Sequence, residues 1–261
     1  MSQFINITRY EYTMSTRRPG FWIAYTLLAL FYFVTLLSPS ANPADDIIPP
    51  DKIWSEAGHI VFLFNIFMPL LAGILSADRM QRDFSTGPRE LQRSAPLSIR
   101  VYILAKYTGV LLSVLTPIFL VSLIAGGMLV LRGQAPITFL GTLLLAFLSI
   151  AVPGHAFVVA FSLACPLVLP LRVYQVLFTG YWFWGNLISP KAFPTISDTL
   201  LNAVGQFPLQ AFFGIYTDST HAVTGGFTRV EAVLNLIVLL ACITAALSAA
   251  GYFLRRQDRH S

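Results

Sequence analysis

The sequence predicts an all-α, polytopic membrane protein, and three observations carry that prediction. Of its 261 residues, 56% are hydrophobic and only 11% charged, far below the roughly 25% charge of a soluble domain. The apolar residues gather into six windows, most of them near the ~20 residues that carry a helix across ~30 Å of hydrocarbon. The Arg and Lys residues between those windows collect on alternate connections, and therefore on one side.

Along the chain, the stretch 2–18 comes first. Phe4, Ile7, Tyr10 or Glu11, and Met14 recur at helical spacing, with Asn6, Arg9, Thr13 and Thr16 opposite them and Ile5 and Tyr12 blurring the pattern. This describes a short amphipathic helix, either lying in the membrane interface or leading directly into the bilayer. Pro19 and Gly20 then provide a bend into the first window, Phe21 to Leu37. That window reads as a retained span, because the residues Ser38 to Pro43 lack a small-residue cleavage pattern and resemble a loop.

The second window is Gly58 to Ala77, the third Tyr107 to Val130, the fourth Ile137 to about Ala164, the fifth Val173 to Ile188 and the sixth Ala232 to Leu254. The first and fifth are short and need flanking residues at the interface to span. Pro153, Pro166 and Pro170 interrupt the fourth and fifth, which leaves five spans plus a re-entrant segment as a second reading.

With the amino terminus inside, the six-span arrangement puts thirteen cations on the inner side: Arg9, Arg17, Arg18, Arg79, Arg82, Arg89, Arg93, Arg100, Lys106, Arg172, Arg255, Arg256 and Arg259. The outer side holds Lys52, Arg132, Lys191 and Arg229. Both termini are accordingly expected in the cytoplasm. The net charge of +5 is then explained by topology and anionic lipid, with no soluble basic domain to suggest nucleic acid. Cys165 and Cys242 sit in or beside apolar windows and read as small buried hydrophobes.

Between the second and third windows lies a polar segment, 78–100, too hydrophilic for hydrocarbon. Gly87 and Pro88 divide it; Arg89 to Arg93 form a short helical stretch after them, and Ser98 is placed to cap the helix that enters the third window. Its arginines fit equally the anchoring of helix ends. The inner connection Pro166 to Arg172 is short and stiffened by Pro166 and Pro170.

The outer segment 189–230 is unusually apolar. Ser197 or Asp198 is positioned to cap a helix through Leu200, Leu201, Val204 and Phe207, and after Pro208 a second apolar run extends to Tyr216. Such helices either cap a central path or rest on lipid.

Few ionisable groups fall within the windows. His155, beside Pro153 and Gly154, is the one that invites a site, against the plainer role of a hydrogen-bonded structural histidine. Asn65, Asn186, Asn202 and Asn235 read as interhelical hydrogen-bonding groups. In the fifth window Tyr174, Phe178 and Trp182 share a helical face that either borders a path for an apolar molecule or packs against neighbours. By position, Tyr181, Trp182 and Trp184 belong to an aromatic belt near the headgroups.

Several joint patterns support a family resemblance. Met68-Pro69-Leu70-Leu71, Ser76-Ala77-Asp78-Arg79, Arg89-Glu90-Leu91, Ser94 to Ser98 and Ala105-Lys106-Tyr107 resemble the second span, coupling loop and third span of permeases of the ABC-2 family of ABC transporters. Arg9-Tyr10-Glu11-Tyr12 and Arg17 to Trp22 resemble that family's interface helix and its turn. The resemblance implies a single transmembrane permease domain over 1–261, a second permease subunit, identical or homologous, and two cytoplasmic ATP-binding cassette subunits. It implies an exporter of the prokaryotic inner membrane, with 78–100 as a coupling segment contacting the ATPase through Arg82, Asp83, Arg89, Glu90, Leu91, Arg93 and Leu97. ATP and magnesium belong to the partner on this reading: the chain has no G-x-x-x-x-G-K-[ST] loop, and Gly225-Gly226-Phe227-Thr228 lacks the lysine.

No H-E-x-x-H or G-x-S-x-G motif occurs, so no catalytic or metal-ligating set is expected. No internal repeat or paired midplane polar groups suggest a secondary transporter. The functional expectation is an ATP-driven exporter subunit for an amphiphilic or hydrophobic substrate, with a non-transporting membrane anchor or assembly scaffold as the alternative.

Overall fold

The computed structural model describes residues 2–36, 47–85, 98–188, 190, 194–216 and 226–260. Among them there are helices and turns but no strand. Helix α1 spans Ser2–Thr16 and α2 Pro19–Leu36, with Pro19 at the first helical position, where its missing N–H is not needed. The bend between them is fastened by Trp22 Nε1, which donates to Thr16 O at 2.7 Å.

Helix α3 spans Ile53–Ser76 and continues after a turn into the short α4, Arg79–Ser85. Helix α5 covers Ile99–Leu131, and Ser98 caps it as expected, its Oγ accepting from Val101 N. Then come α6 (Phe139–Ala146), a π-helical turn at Phe147–Ala151 and α7 (Val152–Ala164). Pro153 therefore does not break the fourth window. Its missing donor is absorbed by a wider turn, and the helix continues.

Helix α8 is Leu171–Asn186, α9 is Gln206–Phe213 and α10 is Arg229–His260. Thr228 and Glu231 form a reciprocal cap at the start of α10: Glu231 N donates to Thr228 Oγ1 at 3.2 Å, and Thr228 N donates to Glu231 Oε2 at 2.7 Å.

Among the described residues, four helical stretches are long and apolar enough to cross a membrane: Pro50–Arg82, Ile99–Leu131, Phe139–Leu167 and Arg229–Gln257. Helices α2 and α8, with 18 and 16 residues, are shorter, matching the shortness of the first and fifth windows.

All the long helices run alternately up and down. At one end Arg18 meets Asp78, Tyr102 meets Met80, Gln81 donates to Pro166 O and Gly251 faces Ile103. At the other, Ile48 N donates to Gln134 O at 2.8 Å. The described cations Arg18, Arg79, Arg82, Arg100, Arg172 and Arg255 thus share one end of the bundle, called here the basic end.

Helices α3 and α7 form the centre. Ala57, Val61, Phe64, Met68 and Ala72 of α3, with Val158, Val159, Ala160 and Leu163 of α7, are buried among α2, α5 and α8. Helix α2 joins by edge-to-face contact of Tyr32 with Phe64.

Candidate functional site

Two polar constructions stand at opposite ends of this apolar core. The first is the cluster at the basic end, around the two stems of the polar segment. Lys106 lies seven residues into α5, about 10 Å from its start, and its side chain is fully buried. A charge there is tolerable only with a partner. Glu11 of α1 supplies it, with Nζ to Oε1 at 2.6 Å. Gly109, one turn further, lets α1 approach, since a Cβ there would collide with Thr8 O and the Glu11 side chain. Thr8 Oγ1 donates to Ala105 O, and Tyr12 Oη bonds Thr116 Oγ1, both at 3.2 Å. Helix α1 is therefore docked along the first half of α5 by its Thr8, Glu11 and Tyr12 positions.

Asp78, in the turn between α3 and α4, gathers three arginines. Arg82 Nη2 approaches its Oδ2 at 2.5 Å, Arg18 Nη1 the same oxygen at 3.5 Å, and Arg79 Nε its Oδ1 at 3.9 Å. Arg79 is only 3% exposed. Gln81 of α4 donates to Pro166 O at 2.9 Å and Leu169 O at 3.4 Å. The polar segment is thus anchored to α1, α2, α3, α5 and the connection after α7.

At the opposite end, residues 194–205 enter the bundle as turns. Ala203 and Val204 are buried, and irregular backbone at such a depth requires partners. Asparagines provide them. Asn65 Nδ2 of α3 donates to Val204 O at 2.7 Å, Asn186 Oδ1 of α8 accepts from Ala203 N at 2.8 Å, and Asn235 Nδ2 of α10 donates to Leu200 O and Asn202 O, both at 2.9 Å. Gly154 permits the close passage, because a Cβ there would strike Ala203 O.

The expected helix through Leu200, Leu201 and Val204 does not form; α9 begins at Gln206. Asn202 bonds Ser197 O and Val204 N within the segment, which competes with helical pairing. Gly205, at φ +95°, then turns the chain into α9. Asn65, Asn186 and Asn235 join helices to this backbone, and Asn65 also makes a helix-to-helix bond, to Ile150 O, of the kind the sequence suggested.

The π turn belongs to the same end. Asn65 Nδ2 also reaches Ile150 O at 3.4 Å, and His155 Nδ1 lies 2.8 Å from Ala151 O. His155 is fully buried, and the observed geometry places its Nδ1 against the backbone carbonyl one turn back, Ala151 O, at the end of the π turn.

Tyr174, Phe178 and Trp182 do share a face, and it is turned inward. Tyr174 Oη bonds Ser162 Oγ of α7 at 2.8 Å, and Trp182 Nε1 donates to Ile66 O of α3 at 2.7 Å. Phe178 fills the space over Gly73, where a Cβ would collide with its ring. Trp182 is completely buried, so it does not belong to a headgroup belt; Trp184 is exposed and donates to Pro194 O. Spacing within one helix identifies a common face but not which neighbour covers it.

Of the sequence-selected coupling residues, Arg82 and Asp83 lie in α4. Arg89, Glu90, Leu91, Arg93 and Leu97 lie outside the described residues. Sequence reasoning passed over Glu11, Asp78, Gln81 and the pairing role of Lys106. Two signals were present: a lysine two turns inside an apolar helix, which demands a carboxylate, and Asp78 four residues before Arg82.

Neither a protein-family model nor a curated protein matches the chain. The fold itself defines the class, a multi-pass α-helical membrane protein, and its organisation is consistent with a transport-related role.

Proposed function

We propose that this chain is the six-span membrane subunit of an ATP-driven ABC exporter of the ABC-2 type, coupled to a separate ATP-binding subunit. The basic-end cluster carries the reading. Force applied to the polar segment reaches α3 through Asp78 and Arg82, α5 through its Ser98-capped start, and α1 through Lys106 and Glu11. A membrane anchor has no need for such stems, whereas a coupling segment must transmit displacement without slack. Helices α2 and α8 complete the six spans, with interfacial residues extending them. The termini lie in the cytoplasm, and the working assembly holds two permease and two ATPase subunits.

The substrate is amphiphilic or hydrophobic and moves outward. Its route opens along Tyr174, Phe178 and Trp182 when α8 separates from α3 and α7.

Affinity capture from the native membrane in mild detergent, followed by native mass measurement, tests the assembly. A particle with two copies of an ATPase and two permeases is expected. Recovery of the chain alone, or with non-ATPase partners only, overturns the reading in favour of a scaffold. In the reconstituted complex, Phe178→Ala should alter the ranking of a lipid-like and drug-like substrate panel while ATPase activity persists; an unchanged ranking removes the proposed route.

A further inference from the structure

A groove of about 370 Å³ lies between α5 and α10 at the basic end, separate from the ionic cluster and from the aromatic face. Its mouth carries two arginines from different helices, Arg100 and Arg255, and its wall is formed by Ile103, Leu104, Leu247 and Tyr252. Both arginines are exposed, and neither makes an ion pair among the described residues. Gly251 lets the two helices approach at the floor, where a Cβ would lie 3.3 Å from Ile103 Cδ1.

The polarity is graded along the groove. From Arg255 to Leu247 is eight residues of α10, about 12 Å, so the cationic mouth gives way to an apolar wall over the length of a headgroup and the upper part of an acyl chain. Leu104 and Tyr252, at 47% and 70% exposure, leave the wall open on its outer side. A free anion would use the mouth alone, and a neutral lipid the wall alone.

We infer that this groove binds one anionic phospholipid from the leaflet at the basic end, its phosphate between Arg100 and Arg255 and an acyl chain along Ile103, Leu104 and Leu247. Two guanidiniums lining one groove match a phosphate diester by charge and by hydrogen-bonding capacity, while the open wall gives the chain a continuous apolar contact. The site stands independently of ATP coupling, and its test requires no transport.

The full chain in mild detergent is titrated with phosphatidylglycerol, phosphatidylcholine and soluble glycerol 3-phosphate, and bound species are counted by native mass spectrometry. The expected result is one tightly held phosphatidylglycerol per chain, with at least tenfold weaker binding of the other two. The Arg100→Gln/Arg255→Gln double variant should lose at least tenfold in phosphatidylglycerol affinity, whereas Arg172→Gln, which removes a basic-end arginine outside the groove, should bind as the parent does. Leu104→Trp retains both arginines and fills the wall; it should weaken lipid binding and decides the matter if the double variant does not fold by circular dichroism and size exclusion. Equal affinity for phosphatidylcholine overturns the proposal, as does equal affinity for glycerol 3-phosphate. So does an equal loss in Arg172→Gln, which would indicate general surface attraction, or unchanged lipid binding in Leu104→Trp. A shift of the double variant from dimer to monomer with lipid binding intact would instead assign the groove to a second copy of this chain.

Discussion

The two ends of the bundle solve one problem with different chemistry. At the basic end, elements are joined by charge: Lys106 to Glu11, and Asp78 to Arg18, Arg79 and Arg82. At the other, a buried irregular segment is held by neutral asparagine amides from α3, α8 and α10. A charge pair is strong and conditional, since removing one partner leaves an uncompensated ion. An amide bonded to a carbonyl contributes less and is indifferent to ionic strength. The difference teaches that the basic end depends on charge and therefore on ionic conditions, whereas the opposite end holds its shape regardless of them.

The largest expected effect comes from Lys106→Met, which strands the Glu11 carboxylate in the protein and should cost about 3–5 kcal/mol. Combining it with Glu11→Met should restore much of that loss, as read by thermal unfolding in detergent. If the double substitution is no better than the single one, the pair is not a unit and the contrast between the ends weakens.

Asn65→Leu attacks the other end. It leaves Val204 O unbonded at depth and should cost about 1–3 kcal/mol, with the loss unchanged between low and high salt. A strong salt dependence would show that this end, too, is held by charge.

A smaller effect is expected for Ser98→Ala, about 1 kcal/mol from loss of the α5 cap. Because the cap lies at the stem of the polar segment, ATPase-coupled transport in a reconstituted complex should fall further than stability does.

Smallest in stability is Arg82→Gln. The Arg82 side chain is about half exposed, so its pair with Asp78 contributes about 0–1 kcal/mol. On the proposed coupling role, its loss should weaken co-purification of an ATP-binding subunit. Intact docking with Arg82→Gln would move the contact to other residues of the 78–100 segment.

Much of this molecule was legible along the chain because the membrane imposes one-dimensional rules. Apolar length locates the helices, the distribution of arginines divides their ends, Ser98 marks the start of α5, and Pro19 marks the turn from α1 into α2. The helical face of Tyr174, Phe178 and Trp182 followed from periodicity alone, and the shortness of α2 and α8 from the length of their apolar windows. Pro153 misled in part, because a proline removes one backbone bond without stating whether the helix ends or widens by a residue. Only the tertiary fold, in which the helix widens into a π turn at Phe147–Ala151 and continues, resolves that choice.

Tertiary structure alone decided which polar groups meet. Glu11 and Lys106 are 95 positions apart, and Asn65 and Val204 are 139 apart, distances at which no local pattern acts. It also decided that the 194–205 segment enters the bundle as turns. Its apolar residues satisfy a helix and a buried loop equally well, and the choice rests on amides from three distant helices reaching its backbone. Hydrophobic length is a property of a segment, and so the sequence determines where helices form; hydrogen-bond satisfaction in a low-dielectric interior is a property of neighbours, and only the assembled fold supplies them.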